Sequence, residues 1–155
     1  MENIVRVGEV SHLGKKLRQQ NRKIVLVGGC FDILHLGHIT FLEKAKRVGD
    51  ILVVFLESDQ KVKELKGSKR PVHTQKERAQ VLASIKFVDY VVLLPFLEKD
   101  EQYDELVLKL RPDVIAATSN SSDTHKERSA KKAGAKLKFV TKMIGNYSSS
   151  KLLLT

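Results

Sequence analysis

Residues 28–38 read Gly-Gly-Cys-Phe-Asp-Ile-Leu-His-Leu-Gly-His and directly follow a short apolar run, Ile24–Val27. Beyond them, apolar residues recur at helical spacing from Ile39 to Val48, and Gly49 can end that helix. The order is therefore a strand, a turn that contains glycine, and a helix. Ligands of open α/β sheets bind where the carboxyl end of a strand leads into such a turn, so we expect a binding site here.

The same alternation of strand and helix patterns continues along the chain. Runs rich in Val and Ile, each short enough for a buried strand, occur at Ile24–Val27, Ile51–Leu56, Val88–Leu94, Val114–Ala117 and Leu137–Val140. We therefore predict an α/β fold of the Rossmann-like type, with an open, mainly parallel five-stranded sheet and helices on both faces. Its site should lie at the carboxyl ends of the first and fourth of these strands.

The first 22 residues are predicted to form an amphipathic helical extension ahead of the first strand. Leu13 and Leu17 provide its apolar side, and basic residues surround them. Residues 23–155 then form the main domain of a chain whose 155 residues favour a single domain.

The composition is typical of a globular protein, with 42% hydrophobic and 30% charged residues, and excludes disordered and fibrous classes. Cys30 is the single cysteine, so an internal disulfide is excluded, and the first ten residues lack the pattern of a signal peptide. We expect a cytoplasmic protein. No apolar run approaches the roughly 18–20 residues of a membrane span, so no membrane partner is expected.

The formal net charge of +10 points to phosphate-bearing partners. The excess is uneven, because Lys61–Arg78 contains seven basic residues against two acidic ones and Lys126–Lys142 contains seven against one. We interpret this distribution as an electrostatic funnel for phosphorylated substrates. A nucleic-acid binder is the alternative that the charge alone favours, but the chain has no signature of a DNA- or RNA-binding module, so no nucleic-acid partner is expected.

Glycines and histidines give residues 28–38 the chemistry of a polyphosphate site. The two adjacent glycines let backbone approach a phosphate or a base, and the helix that starts near Gly37 directs its N–H groups at an anion. His35 and His38 can both donate hydrogen bonds to phosphate oxygens. A zinc site needs a third ligand, and neither Cys30 nor the distant histidines stand at a recognisable spacing. A helix-capping histidine beside a surface histidine is the structural alternative.

Residues 28–38 resemble the HxGH signature of the cytidylyltransferase-like nucleotidyltransferases, and Ser148-Ser149-Ser150-Lys151-Leu152 resembles the second signature of that family. The segment between them is most similar to bacterial heptose-1-phosphate adenylyltransferases and, more loosely, to glycerol-3-phosphate cytidylyltransferases. The residues that carry this similarity are Leu65–Gly67, Arg70–Val72, Glu77–Ala79, Val81–Ala83 and Val88–Asp89. The resemblance covers roughly residues 23–153, which is nearly the whole chain.

The resemblance implies transfer of a nucleoside monophosphate, AMP first of all, from an NTP to a small phosphorylated acceptor such as a sugar 1-phosphate, with release of pyrophosphate. It implies that His35, His38 and Lys66 are catalytic. The implied nucleotide-binding residues are Gly28, Gly29, Cys30, Phe31, Asp32, Gly37, Arg78, Thr118, Ser148, Ser149 and Ser150. Mg²⁺ would accompany the NTP, ATP or CTP, through its phosphates and without ligands from the protein. Dimers are common in the family, so a homodimer is an open expectation.

Three features depart from the family pattern. Thr118–Asp123 replaces a Gly-Gly-Asp or Gly-Asp-Asp segment that helps to hold the base or ribose, so the choice between ATP and CTP stays open. Many members have an Arg a few residues before the second signature, where this chain has Lys142 and Met143. A Lys supplies positive charge but cannot form the two parallel hydrogen bonds of an Arg guanidinium. Glu57 stands where relatives more often have Asn, and its carboxylate would repel a nearby acceptor phosphate.

Two further functions stay open at this point. One is cytidylyl transfer from CTP to a polyol phosphate. The other is a catalytically weak, nucleotide-binding regulatory protein of the same fold, which the altered Thr118–Asp123 stretch favours.

Overall fold

The computed structural model describes residues 1–119 and 124–142. In these residues, the strands and helices are β1 (Ile4–Arg6), α1 (Val10–Gln19), β2 (Ile24–Gly29), α2 (Leu36–Arg47), β3 (Ile51–Leu56), α3 (Asp59–Lys66), α4 (Gln75–Ala83), β4 (Tyr90–Leu93), α5 (Asp100–Leu110), β5 (Val114–Thr118), α6 (Thr124–Ala133) and β6 (Lys136–Thr141). Strands alternate with helices, except that two helices, α3 and α4, lie between β3 and β4. A 3₁₀ turn, Val7–Glu9, connects β1 to α1. None of the helices in the described ranges is long and apolar enough to cross a membrane.

The strands form one parallel sheet in the order β1-β4-β3-β2-β5-β6. The predicted Rossmann-like α/β fold is therefore confirmed, but the predicted number of five strands is wrong by one. Strand β1, which pairs with β4 at the sheet edge, precedes the amphipathic helix α1. This strand has three residues, of which only Val5 is buried, and that is too short for a periodic pattern. The division of the chain at residue 22 stays a prediction.

Alternate residues of each strand supply the two cores. In β2, Ile24 and Leu26 join the cluster under α1, α5 and α6, whereas Val25 and Val27 join the cluster under α2 and α4. A sheet covered on both faces needs apolar residues at every position of its central strands, which explains why β2 and β3 are continuous apolar runs. All six residues of β3 are buried.

The chain reverses its direction of travel across the sheet at β2. From β2 it moves outward through β3 to β4, and it then returns to add β5 and β6 on the other side of β2. The carboxyl ends of β2 and β5 therefore flank a crevice that no crossover connection covers, which is the usual position of a ligand site in this type of sheet. These are the first and fourth of the strands that the sequence predicts.

Helix α1 packs very closely on α5 at Gly14. A Cβ atom at Gly14 would lie 2.5 Å from the carbonyl oxygen of Leu110, and Arg18 donates to that same oxygen at 2.7 Å. In an unconstrained helix, Gly→Ala stabilises by about 1 kcal/mol. Here we expect Gly14→Ala to destabilise by about 1–3 kcal/mol because the backbones must move apart.

Urea denaturation of Gly14→Ala measures this difference, with Gly8→Ala as the matched control. A Cβ at Gly8 would meet no atom within 4 Å, so that variant should unfold like the wild type. A Gly14→Ala protein as stable as the control would show that α1 and α5 are not in close backbone contact.

Candidate functional site

The two histidines of residues 28–38 stack at the amino-terminal end of α2. Their ring centroids are 3.9 Å apart and the rings are inclined by 27°. His35 is the N-cap of α2, and its Nδ1 accepts from the Gly37 N–H at 3.1 Å, while His38 Nδ1 accepts from the His35 N–H at 3.3 Å. Both Nδ1 atoms are acceptors, so the proton of each neutral ring belongs on Nε2. The structure thus presents two Nε2–H donors at a helix amino terminus.

The environment keeps His38 neutral at physiological pH. Burial, together with the neighbouring His35 and Lys66, lowers its pKa from the ordinary 6.5 to about 4. Burial also lowers the pKa of His35. Neutral imidazoles can donate through Nε2–H to an anion without first taking up a proton, so this pair suits an oxyanion that gains charge during a reaction.

The turn between β2 and α2 has a strained backbone. Phe31 and Ile33 adopt φ angles of +47° and +57°, a region that side chains with a Cβ rarely occupy. Asp32, which lies between them, is only 1% exposed. Its carboxylate accepts from Arg70 Nε at 2.8 Å, from the Val72 N–H at 2.8 Å and from the His73 N–H at 3.1 Å. These bonds fix the turn to the loop that precedes α4, and strain held this way is typical of functional sites.

The pKa of Asp32 reflects these contacts. Burial alone would raise it, but the hydrogen bonds from Val72, Arg70 and His73 outweigh burial and lower it below its usual value. The carboxylate is thus ionised at neutral pH and serves as an anchor within the protein.

Arg78, predicted to bind the nucleotide, is a buried arginine that connects three segments. Its guanidinium donates to the Cys30 carbonyl at 2.6 Å, to the His73 carbonyl at 3.1 Å and to Asp59 at 2.7 Å. The side chain is 1% exposed. It holds the backbone from which residues of the β2–α2 turn would contact a ligand.

Lys66 is exposed at the end of α3, and its ammonium is close enough to act on the turn. It contributes to the low pKa of His38, and it partly offsets the effect of burial, which raises the pKa of the Cys30 thiol. The structure therefore brings Lys66 into electrostatic range of His38 and Cys30.

A cavity of about 560 Å³ opens beside the turn, at the carboxyl ends of β2 and β3 and between α5 and α6. Its polar lining comprises Cys30, Glu57, Lys61, Asp100, Tyr103, His125, Lys126 and Ser129, and Leu26, Phe55, Leu65, Leu94, Val107 and Ile115 supply its apolar walls. Apolar walls with a few converging polar groups are typical of a small-molecule site.

One wall of this cavity is held by Asp104, which joins α5 to α6. Asp104 accepts hydrogen bonds from Ser129, from Lys132 at 2.9 Å and at 3.1 Å from His125. Burial acts to raise the pKa of Asp104, but these contacts outweigh it and lower the pKa to about 2. The ionised carboxylate therefore holds one face of α6, from His125 to Lys132, beside the cavity.

The structure brings most predicted site residues to one end of the sheet. Gly28, Gly29, Cys30, Phe31, Asp32, His35, Gly37, His38 and Lys66 lie in or beside the β2–α2 turn, and Thr118 ends β5. Ser148, Ser149 and Ser150 lie outside the described residues. Residues 120–123, which belong to the stretch Thr118–Asp123 that differs from the family pattern, also lie outside them. The functional assignment of every one of these residues stays a prediction.

Sequence reasoning missed several groups at this end of the sheet. The helical spacing of Tyr103 with Leu106, Val107 and Leu110 predicts only the apolar side of a helix, and His125 is one of the distant histidines that have no recognisable zinc-ligand spacing. Asp104 and Ser129 gave no signal, since each is an ordinary polar residue within a helical pattern. Among residues 1–119 and 124–142, no three His, Cys, Asp or Glu side chains are grouped to hold a metal ion.

Comparison with known proteins places the chain in a recognised group. The model of the cytidylyltransferase-like family matches residues 26–151. The bifunctional protein HldE of a Nitratiruptor species is 47% identical over 107 residues, which are 69% of this chain and 22% of that protein. This chain thus spans about a fifth of the length of that curated relative.

Two solved structures resemble the fold. The lipopolysaccharide core biosynthesis protein of Thermoplasma volcanium GSS1 is 29% identical with a TM-score of 0.62, and the match covers 82% of this chain and 99% of that one. Pantoate-β-alanine ligase of Francisella tularensis has a TM-score of 0.64 over 98% of this chain and 72% of its own. At 17% identity, that second likeness concerns the fold alone.

We predict that His38 does not titrate between pH 5.5 and 8. The midpoint of its imidazole Cε1–H signal in an NMR pH titration should lie at about 4, with the signal assigned by its loss in His38→Asn. Lys66→Met should move that midpoint upward, because it removes a positive charge that disfavours protonation. A midpoint near the ordinary 6.5 would contradict the buried geometry of the pair.

We also predict that Asp32→Asn destabilises the fold by about 3–5 kcal/mol, since it leaves the buried Arg70 charge without its carboxylate. The loss should be full at neutral pH and shrink as the pH falls below about 4, where the unfolded wild type takes up the proton. The control is Asp100→Asn, which removes an exposed carboxylate 3.5 Å from Arg128. This variant should lower the free energy of unfolding by less than about 1 kcal/mol. Chemical denaturation as a function of pH measures both, and equal losses would contradict the anchoring role of Asp32.

Proposed function

The chain belongs to the cytidylyltransferase-like family, and from that membership we propose that it transfers a nucleoside monophosphate from an NTP to a small phosphorylated acceptor. A phosphate oxygen of the acceptor attacks the α-phosphorus, the bond to the oxygen that bridges to the β-phosphate breaks, and pyrophosphate leaves. The observation that carries this proposal is the stacked, neutral His35 and His38 pair at the start of α2.

Such a transfer depends on positioning and on the neutralisation of charge, with little covalent chemistry by the protein. The Nε2–H groups of His35 and His38 would donate to triphosphate oxygens whose negative charge increases as the bridging bond breaks. Backbone N–H groups at the start of α2 and the positive end of its dipole add to this. Lys66 would place a full positive charge between the two reacting phosphates.

Mg²⁺ would enter with the triphosphate and be held mainly by phosphate oxygens. When bound, the ion would neutralise phosphate charge. The imidazoles of His35 and His38 and the ammonium of Lys66 are the groups that the protein would supply around it.

The acceptor we propose is a sugar 1-phosphate, and the transferred group is AMP. The similarity to a lipopolysaccharide core biosynthesis protein, which covers 99% of that chain, supports a sugar phosphate as acceptor. The sequence resemblance to heptose-1-phosphate adenylyltransferases supports ATP over CTP. Cytidylyl transfer to a polyol phosphate is the second candidate, and the same assay decides between them.

The test is pyrophosphate release by the purified protein with Mg²⁺, each of the four NTPs and a panel of sugar 1-phosphates and polyol phosphates. We expect turnover with ATP and a sugar 1-phosphate. Turnover only with CTP and a polyol phosphate would move the assignment to the second candidate. Tight nucleotide binding without pyrophosphate from any pair would instead identify a regulatory protein.

We predict that His35→Asn lowers kcat by about 10²–10³-fold while the fold stays intact. Asparagine is a favourable N-cap, so its side-chain oxygen can still accept from the Gly37 N–H, whereas the Nε2–H donor is gone. His12→Asn, which changes a histidine on α1 far from the turn in sequence, is the matched control and should keep full activity. Unchanged turnover in His35→Asn, with the same melting temperature as the wild type, would overturn the role of His35.

A further inference from the structure

The cavity beside the β2–α2 turn contains a buried carboxylate that the proposed transfer does not use. Glu57 follows β3 directly, is 9% exposed and lines the cavity. Its backbone N–H donates to the Gly29 carbonyl at 3.1 Å, which places Glu57 beside the last residue of β2, where the turn begins. An ionisable side chain buried against a cavity costs folding free energy, so its presence needs a reason.

Glu57 and Tyr103 together present hydrogen-bond acceptors to the cavity. The Tyr103 hydroxyl donates its one proton to Glu57 Oε2 at 2.8 Å, so the phenolic oxygen retains only acceptor capacity. A carboxylate can accept about four hydrogen bonds, and Tyr103 supplies one of them. A ligand group that binds this pair must therefore donate, as hydroxyl groups do.

The negative charge of Glu57 excludes a phosphate as the group that binds beside it. Lys61 lines the same cavity, and its ammonium partly offsets the burial that raises the pKa of Glu57. A phosphate oxygen in contact with Glu57 and Tyr103 would meet like charge and two groups that accept hydrogen bonds but have no proton to donate. The hydroxyl-bearing end of a substrate meets neither obstacle.

We propose that Glu57 and Tyr103 form the subsite that binds the hydroxyl groups of the acceptor, which is therefore a polyhydroxylated phosphate monoester. The inference rests on the proposed nucleotidyl transfer. Because attack on the α-phosphorus is in line, acceptor and leaving group extend in opposite directions from it. The phosphate of the acceptor then lies toward Lys66 and the histidine pair, and its hydroxyl groups lie at the end of β3.

Position in the sheet assigns this subsite to the acceptor and not to the nucleoside. Glu57 stands on the β3 side of β2, whereas the crevice between β2 and β5, where Thr118 ends β5, lies on the other side. The cavity extends from Glu57 at its β3 end to Ile115 of β5 and Ser129 of α6 at its other end. A nucleotide whose triphosphate lies at the start of α2 can occupy the β5 end and leave the β3 end to the second substrate. The negative charge that Glu57 brings to the site thus selects the orientation of the acceptor.

The experiment measures binding and turnover separately. Calorimetry determines the affinity of mannose 1-phosphate, glucose 1-phosphate and α,β-methylene-ATP with Mg²⁺ for the wild type and for Glu57→Gln, Tyr103→Phe and Glu105→Gln. Glu105 is an exposed carboxylate on α5, so its variant is the matched control. We expect Glu57→Gln to bind the sugar phosphate at least about tenfold more weakly, and Tyr103→Phe at least about threefold, with unchanged affinity for the ATP analogue.

The outcomes separate this inference from the proposed function. Sugar phosphate binding that depends on Glu57, without pyrophosphate release from any pair, overturns the transfer and supports the subsite. Pyrophosphate release with the same acceptor KM in wild type and Glu57→Gln overturns the subsite alone. The subsite is also overturned if neither sugar phosphate binds the wild type, or if Glu57→Gln weakens the ATP analogue instead. Should Glu57→Gln fail to fold, Tyr103→Phe decides, and wild-type affinity in that variant overturns the subsite.

Discussion

The carboxylate of Asp32 fixes the conformation of the turn on which the whole site depends. The turn between β2 and α2 must place two imidazoles at a helix amino terminus, and it does so with two residues in the left-handed region. Such a backbone persists only where surrounding contacts determine it. Asp32 supplies these contacts through Arg70 and two backbone N–H groups, and Arg78 adds a bond to the Cys30 carbonyl. The loop before α4, which contributes Arg70 and the two backbone N–H groups, thus holds the turn in its conformation.

This explains why two arginines of the basic segment Lys61–Arg78 differ from its lysines. The side chains of Arg70 and Arg78 are buried, 5% and 1% exposed, and their guanidiniums pair with Asp32 and Asp59. A planar guanidinium can satisfy several acceptors at once, which suits a buried junction. The exposed Lys66 keeps its charge available at the site. Only part of the excess positive charge in this segment is therefore available to attract phosphates, because the two arginines hold loops together.

The sequence was sufficient to predict the sheet, its two covered faces and the turn, because each depends on patterns within one segment. Continuous apolar runs identified the buried strands, and the apolar spacing from Ile39 to Val48 identified the helix that follows the turn. Pairings between distant segments could not be read in the same way. Strand β1 is too short to show a period, and nothing in the segment around Arg78 indicates that its guanidinium bonds the Cys30 carbonyl of another loop. The serine signature at 148–150 lies outside the described residues, so its part in the site remains a prediction.

Tyr103 shows most clearly what a helical pattern conceals. Its spacing with Leu106, Val107 and Leu110 predicts a residue of the core, and the three aliphatic residues are indeed buried under the sheet. Tyr103 lies one turn nearer the carboxyl ends of the strands, where the sheet stops and the cavity begins. The same helical face therefore changes from core to binding surface within one turn, and the phenolic hydroxyl meets Glu57 at that boundary. A carboxylate that would repel a phosphate is compatible with a phosphorylated substrate in this position, because its charge faces the hydroxyl end of that substrate.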